Sequence, residues 1–203
     1  MKTQLCVLAS GLALAFAGSA AFAGSTGSTN QSGFNNDASI IQSYNSDATA
    51  YIGQEGDMNV GKISQTHIHG DARIRQAGFN NTASVEQKNT HASARVVQEG
   101  NMNVANAKQR DGFDQDVTIS QAGFNNTANS TQENNAFAEA RITQKGDLNA
   151  GTITQKDGWG QEARIYQAGF NNAATISQTG SWLHASAVQN GNMNVSTITQ
   201  TGW

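Results

Sequence analysis

The chain has 203 residues, of which 37% are hydrophobic and 13% charged, with a formal net charge of -3. With 22 Asn, 19 Gln, 21 Gly and no Pro it is too polar for an ordinary enzyme core. It is also too weakly charged to be kept apart by self-repulsion, a composition poised toward β-association. The small negative charge gives no electrostatic case for nucleic acid or an anionic membrane as partner.

Taken from the N-terminus, Lys2, the apolar run 5–16 and Ala21-Phe22-Ala23 read as a secretory signal peptide over residues 1–23, with cleavage before Gly24. Nothing downstream approaches the roughly 20 apolar residues of a membrane-spanning helix. The one cysteine, Cys6, lies inside this signal, so the mature chain has no disulfide and no lipoprotein cysteine. Residues 24–30 then form a short leader, and residues 31–203 form a repeat domain.

The segment Q-x-G-x-x-N occurs eight times, starting at Gln31, Gln54, Gln76, Gln98, Gln121, Gln144, Gln167 and Gln189, at intervals of 22 or 23 residues. Eleven residues after each stands another glutamine, at Gln42, Gln65, Gln87, Gln109, Gln132, Gln155, Gln178 and Gln200. Each motif also carries a turn glycine (Gly33, Gly56, Gly78, Gly100, Gly123, Gly146, Gly169, Gly191) and an asparagine (Asn36, Asn59, Asn81, Asn103, Asn126, Asn149, Asn172, Asn194).

Between the glutamines the residues alternate as strands do: Ala72, Ile74, Gln76, or Ala83, Val85, Gln87. No apolar stripe of helical period persists. Two short strands and two turns in about 22 residues predict one coil of a parallel β-solenoid, and eight such coils would stack at about 4.8 Å each. Buried amides are costly unless paired, and in such a stack each side-chain carbonyl can accept from the identical residue one coil away. The glutamines and asparagines are therefore the candidate ladder.

Odd motif copies carry Phe34, Phe79, Phe124 and Phe170, and even copies carry Met58, Met102, Leu148 and Met193. Their simplest role is to seal alternate coils at the turns; the other is an exposed stripe for lateral bundling. Arg73, Arg95, Arg141 and Arg164, with Asp71, Asp116, Glu139 and Glu162, fall on outward positions as paired basic and acidic columns. They read as a solvated face, or as gatekeepers that slow premature stacking during export.

The repeat resembles that of the curlin family, whose pattern S-x5-Q-x-G-x-(G/N)-N-x-A-x3-Q is met by the run from Gln121 to Gln132 across its Q-to-Q span. The resemblance covers Gln31 to Gln200. It implies a secreted subunit of extracellular amyloid fibres at the bacterial surface, with roles in biofilm matrix, adhesion and cell aggregation. It also implies an outer-membrane export pore with accessory proteins, and a second curlin subunit as nucleator or co-polymer. The major subunit and the nucleator of that family carry five repeats against eight here, so either role stays open.

Catalytic and cofactor chemistry find no recurring constellation. His67-x-His69 with Asp71 is a metal-like pair in one copy only, and His91 and His184 fall in other phases. Trp159, Trp182 and Trp203 read as turn or end packing, with sugar stacking as the other thought. No segment of capping composition is visible at either end of the repeats, so the tips should dock head to tail. The competing reading is a monomeric secreted β-solenoid, an adhesin or ice-binding rod. It needs a flat threonine face, for which Thr152-x-Thr154 and Thr197-x-Thr199 speak, yet Lys62 and Glu86 at equivalent positions leave no continuous array.

Overall fold

The computed structural model describes residues 24–202; the signal-peptide segment 1–23 and Trp203 lie outside the described residues. Twelve strands follow in chain order: β1 (Thr26–Ser32), β2 (Asp37–Ser43), β3 (Ala48–Asp57), β4 (Val60–Phe79), β5 (Thr82–Asn101), β6 (Val104–Phe124), β7 (Thr127–Asp147), β8 (Ala150–Trp159), β9 (Glu162–Phe170), β10 (Ala173–Thr179), β11 (His184–Asn190) and β12 (Val195–Thr201). Every recorded pairing is parallel and joins residues about one repeat apart, as in Gln31↔Gln54 and Gln42↔Gln65. The result is an all-β parallel solenoid of about eight turns, with no helix among the described residues.

Each coil has one strand ending in a motif glutamine, a motif turn, a second strand ending in the other glutamine, and a second turn. The alternation found in the sequence sets the faces. One inner column runs Ile52, Ile74, Val96, Ile119, Ile142, Ile165, and the facing one runs Ile63, Val85, Ala107, Ser130, Ile153, Ile176. Mostly alanines, with Gly27, Gly61, Gly151, Val117 and Ser196, fill the next inward position, which brings the two sheets close enough for the glutamines to reach across. Gly61 and Gly151 occupy that position where a methyl would press on Ile52 and Ile142.

Two features differ from the sequence reading. Strands β4 to β7 are 20 or 21 residues long, where two short strands per coil were expected. The second turn carries no Gly-Asn break, and its backbone stays in the ladder: Ile68 pairs with Thr90, and the Ile68 N–H donates to the Asn45 side chain at 3.0 Å. The second feature is at the start. Thr26–Asn30, which fall within the expected leader, pair with Thr49–Gly53, and Gly27 and Thr29 take the inward places held one coil later by Ala50 and Ile52. The first coil therefore buries less apolar surface than any interior one.

Ser130 sits in the column of Val85 and Ile153, 2% exposed, and its hydroxyl has no hydrogen-bond partner. A buried hydroxyl without a partner costs about 1–3 kcal/mol. Ser130→Val should raise the stability of the folded chain by about 1 kcal/mol, roughly 3 °C in Tm, measurable by thermal unfolding followed by circular dichroism.

Candidate functional site

The glutamines form two columns that run the length of the rod. From Gln31 to Gln189, each Nε2 donates to the Oε1 of the glutamine one coil on, at 2.7–2.9 Å. From Gln42 to Gln200 the same bond repeats at 2.8–3.0 Å. The second N–H is also used. Gln76 donates to the Val60 carbonyl, Gln98 to Thr82 and Gln121 to Val104, at 3.0 Å each, so every such amide ties its own sheet to the opposite one. This cross-sheet bond was not foreseen from spacing; the 16- or 17-residue offset from a strand start to the next glutamine on the other face was its only trace.

The asparagines make a third column at the motif turn, with donors aimed the other way. The backbone N–H and Nδ2 of each asparagine donate to the Oδ1 of the one before, as from Asn81 to Asn59 at 3.1 and 3.0 Å. The same pair of bonds recurs from Asn59 back to Asn36 and from Asn194 back to Asn172. Nδ2 also donates forward to the motif-glycine carbonyl of the next coil, from Asn103 to Gly123 at 2.9 Å for example. The glycines belong to this ladder by exclusion. At Gly123 φ is +125°, and a Cβ would overlap the carbonyl oxygen of Gly146. Interior glycines from Gly33 to Gly169 meet the same obstacle, while Gly191 in the last coil faces open space.

Both tips leave this network unfinished. Among the described residues nothing donates to the Oε1 of Gln31 or Gln42, and nothing donates to the Oδ1 of Asn194. The Nε2 groups of Gln189 and Gln200 make only their cross-sheet bonds, to Ala173 and His184.

The charged columns lie on the outside of one sheet. Asp71, Ser93, Asp116, Glu139 and Glu162 share a register, and Arg73, Arg95, Thr118, Arg141 and Arg164 share the next outward one. Arg141 lies 3.3 Å from Glu139, and Arg164 lies 2.5 Å from Glu162 and 3.8 Å from Glu139. Partial burial and the neighbouring Glu139 and Asp114 carboxylates push the Asp116 pKa up, against the pull of Arg141.

The apolar turn residues are not seals. Phe34, Phe79, Phe124 and Phe170, with Met58, Met102, Leu148 and Met193, are all exposed along the motif-turn edge. Interior space there is already filled by the asparagine column, which leaves the larger side chains outside. The second turn carries another column that the sequence reading missed. The Tyr44 ring stacks on His67 at 4.9 Å and His69 on His91 at 5.1 Å. Below them His91, Phe113, Phe137, Trp159 and Trp182 follow ring by ring at 4.9–6.4 Å. Trp159 and Trp182 thus lie on an exposed edge in contact with each other. The variable second-turn length hid this column, because the rings fall at unequal spacings in the sequence. No group of three His, Cys, Asp or Glu suited to a metal occurs among the described residues. On the second sheet the last coils do align hydroxyls: Thr152, Thr175 and Thr197 share one column, and Thr154, Ser177 and Thr199 another. That array is three coils deep, where none was expected.

A family model, the curlin associated repeat, matches residues 161–187 and 169–202. No curated protein matches the chain. The matched segments span the last two coils, and the same register of Gln, Gly and Asn continues through the six coils above them. The repeat of that family is structural and not enzymatic.

Gln98→Ala would remove the column acceptor of Gln76 Nε2 and leave Gln121 Oε1 without its donor in a dry interior, a loss of about 3 kcal/mol in chemical denaturation, whereas Thr118→Ala should change stability by less than about 0.5 kcal/mol. Asp116 holds its proton more tightly when folded than its ordinary value of 3.8. Its effect on stability is thus most favourable below that value and is lost as pH rises through the raised one. Acidification across this window should stabilise the folded chain, and Asp116→Asn should remove that part of the pH dependence in denaturation curves.

Proposed function

We propose that the chain, whose last two coils match the curlin associated repeat, is a secreted structural subunit whose activity is self-assembly into curli-type amyloid fibres at the bacterial cell surface. The observation that carries this reading is the complementarity of the two tips. Gln189 and Gln200 present unused N–H groups, and Gln31 and Gln42 present unused carbonyl oxygens in the same two columns. Asn194 offers an acceptor where a following Asn36 would donate its backbone and side-chain N–H groups. A second copy stacked on the last coil therefore continues all three columns without a change of phase.

The Gly33 carbonyl of that copy would occupy the open space beside Gly191, and the alternation of Phe and Met would continue from Met193 to Phe34. A heterologous contact of this kind does not close, and it yields a filament. Favourable energetics come from the weak first coil. Gly27 and Thr29 give it little apolar burial of its own, so a template coil below it supplies what the isolated chain lacks.

Mature chain beginning at Gly24, export by an outer-membrane pore with accessory proteins, and co-assembly with another curlin subunit as nucleator follow from the same reading. So do roles in biofilm matrix, adhesion and cell aggregation. The outward charges Asp71, Arg73, Arg95, Asp116, Glu139, Arg141, Glu162 and Arg164 then serve as gatekeepers during export: unlike pairs neutralise each other only once the coils are in register.

The aligned hydroxyls of Thr152, Thr175 and Thr197 favour one second reading, a soluble binding rod that uses this flat face. Sedimentation of freshly desalted chain, with thioflavin fluorescence over hours, separates the two. A disordered lag followed by fibres supports the subunit reading, and a lasting β-rich monomer overturns it. In seeded growth, Gln42→Ala or Gln200→Ala should slow elongation several-fold, and Thr118→Ala should leave it within about twofold; equal rates for all three would remove the amide columns from the mechanism.

A further inference from the structure

The fifth motif position is left-handed in every coil, and it is filled in two ways. Asn35, Asn80, Asn125 and Asn171 have φ of 54–56°, and Met58, Met102, Leu148 and Met193 have φ of 57–59°. Asparagine adopts this conformation readily, whereas a long apolar side chain is sterically strained there. The four apolar residues are only partly covered in return, from 37% exposed at Leu148 to 71% at Met193. Intervening coils carry Phe34, Phe79, Phe124 and Phe170 one position earlier, also exposed. The backbone pairs them: each Phe N–H donates to the Asp57, Asn101, Asp147 or Asn192 side chain of the coil below, at 2.8–3.2 Å.

The two sets make one continuous stripe along the motif-turn edge. It exposes on the order of 600 Å² of apolar side chain per subunit, above the few hundred Å² ordinary for a soluble surface and close to the roughly 800 Å² each partner gives to a standard interface. One flank carries a single charge, Asp37 in the first coil, and continues with Val60, Val104, Ala150, Ala173 and Val195; the other places Glu55, Glu99 and Lys145 at the rim. A polar rim around an apolar centre is the anatomy of a protein interface.

We infer that this stripe is a lateral docking edge for a second copy of the same chain, pairing one filament with another; the inference rests on the fibre reading above. Phenylalanines recur every two coils, about 9.6 Å, with Met or Leu between them. An identical stripe offset by one coil sets each Phe against a Met or Leu, so the surface is complementary to itself and to any length of itself. Weak contact per subunit is multiplied along the filament. The opposite edge is unsuited to this. Its rings already stack on one another along the rod, and it carries four aspartates, Asp47, Asp111, Asp114 and Asp157, against two in the stripe, Asp57 and Asp147, each of which accepts a Phe N–H.

The test replaces the strained residues by the one the fold already accepts at this position, in the combined variant Met58→Asn, Met102→Asn, Leu148→Asn and Met193→Asn. Folding should be unharmed, with Tm equal to or above the parent. Fibres grown from parent seeds should elongate within about twofold of the parent rate, while mass per length in scanning transmission microscopy falls to that of single filaments. An unchanged mass per length overturns the inference, as does thinning produced instead by Phe113→Ser with Phe137→Ser on the other edge. If the parent itself makes no fibres, the underlying reading fails and the edge is read on soluble chain by equilibrium sedimentation. A parent dimer that the Asn variant dissociates supports the edge, and a parent monomer overturns it.

Discussion

A primary amide removed from water has two donor hydrogens and a carbonyl to satisfy, and each omission costs more than a completed bond returns. In this chain the glutamine amides sit in an interior only two side chains thick, where water cannot repair a mismatch. Their bonds close only when Gln lies over Gln, with a strand start facing each one from the other sheet. Coil length, parallel pairing and the even spacing of the repeat all follow from that constraint. The apolar residues beside the amides are interchangeable within limits, as the run Ile63, Val85, Ala107, Ser130, Ile153 indicates. The glutamines are not.

The motif turn obeys a second constraint, which acts through the backbone. Stacked carbonyls of successive glycines pass so close that no side chain fits between them, and the asparagine column locks the same turn from inside. With the inner space taken and the backbone left-handed at one position, any large residue in this turn must point outward. An apolar edge is thus a by-product of the tight turn that the chain has kept in eight copies instead of replacing it with polar residues. Doubling of the repeat comes from the alternating assignment of Phe and Asp or Asn to one position, joined by a hydrogen bond from one coil to the next.

Strand alternation, the parallel stack and the identity of the ladder residues were legible in the sequence because each depends on a fixed spacing from Gln to Gln. The cross-sheet amide bonds were not, since they join residues with no pattern in common beyond position, such as Val60 with Gln76 or Thr127 with Gln144. Reading Phe34 and Met58 as seals failed because the inner space of the turn is taken by the asparagine column, which leaves both side chains exposed. The ring column from Tyr44 to Trp182 escaped notice for a related reason. Its members are of mixed type, and their spacing shifts wherever the second turn gains a residue, as at the register slip between Thr90 and Ala92.

That slip marks a division of labour between the two edges. The stretch from Gln31 to Gln42 and its successors is always eleven residues, while the return from Gln42 to Gln54 or from Gln65 to Gln76 takes twelve or eleven. Length variation is absorbed wholly on one side of the rod, by bends whose inner residues change from Asn45 to Ile68 to Thr90 without disturbing the amides. Foreign peptides spliced into those bends would leave the stack intact and be displayed at regular height along one margin, which makes this side the natural place for grafted epitopes or affinity tags.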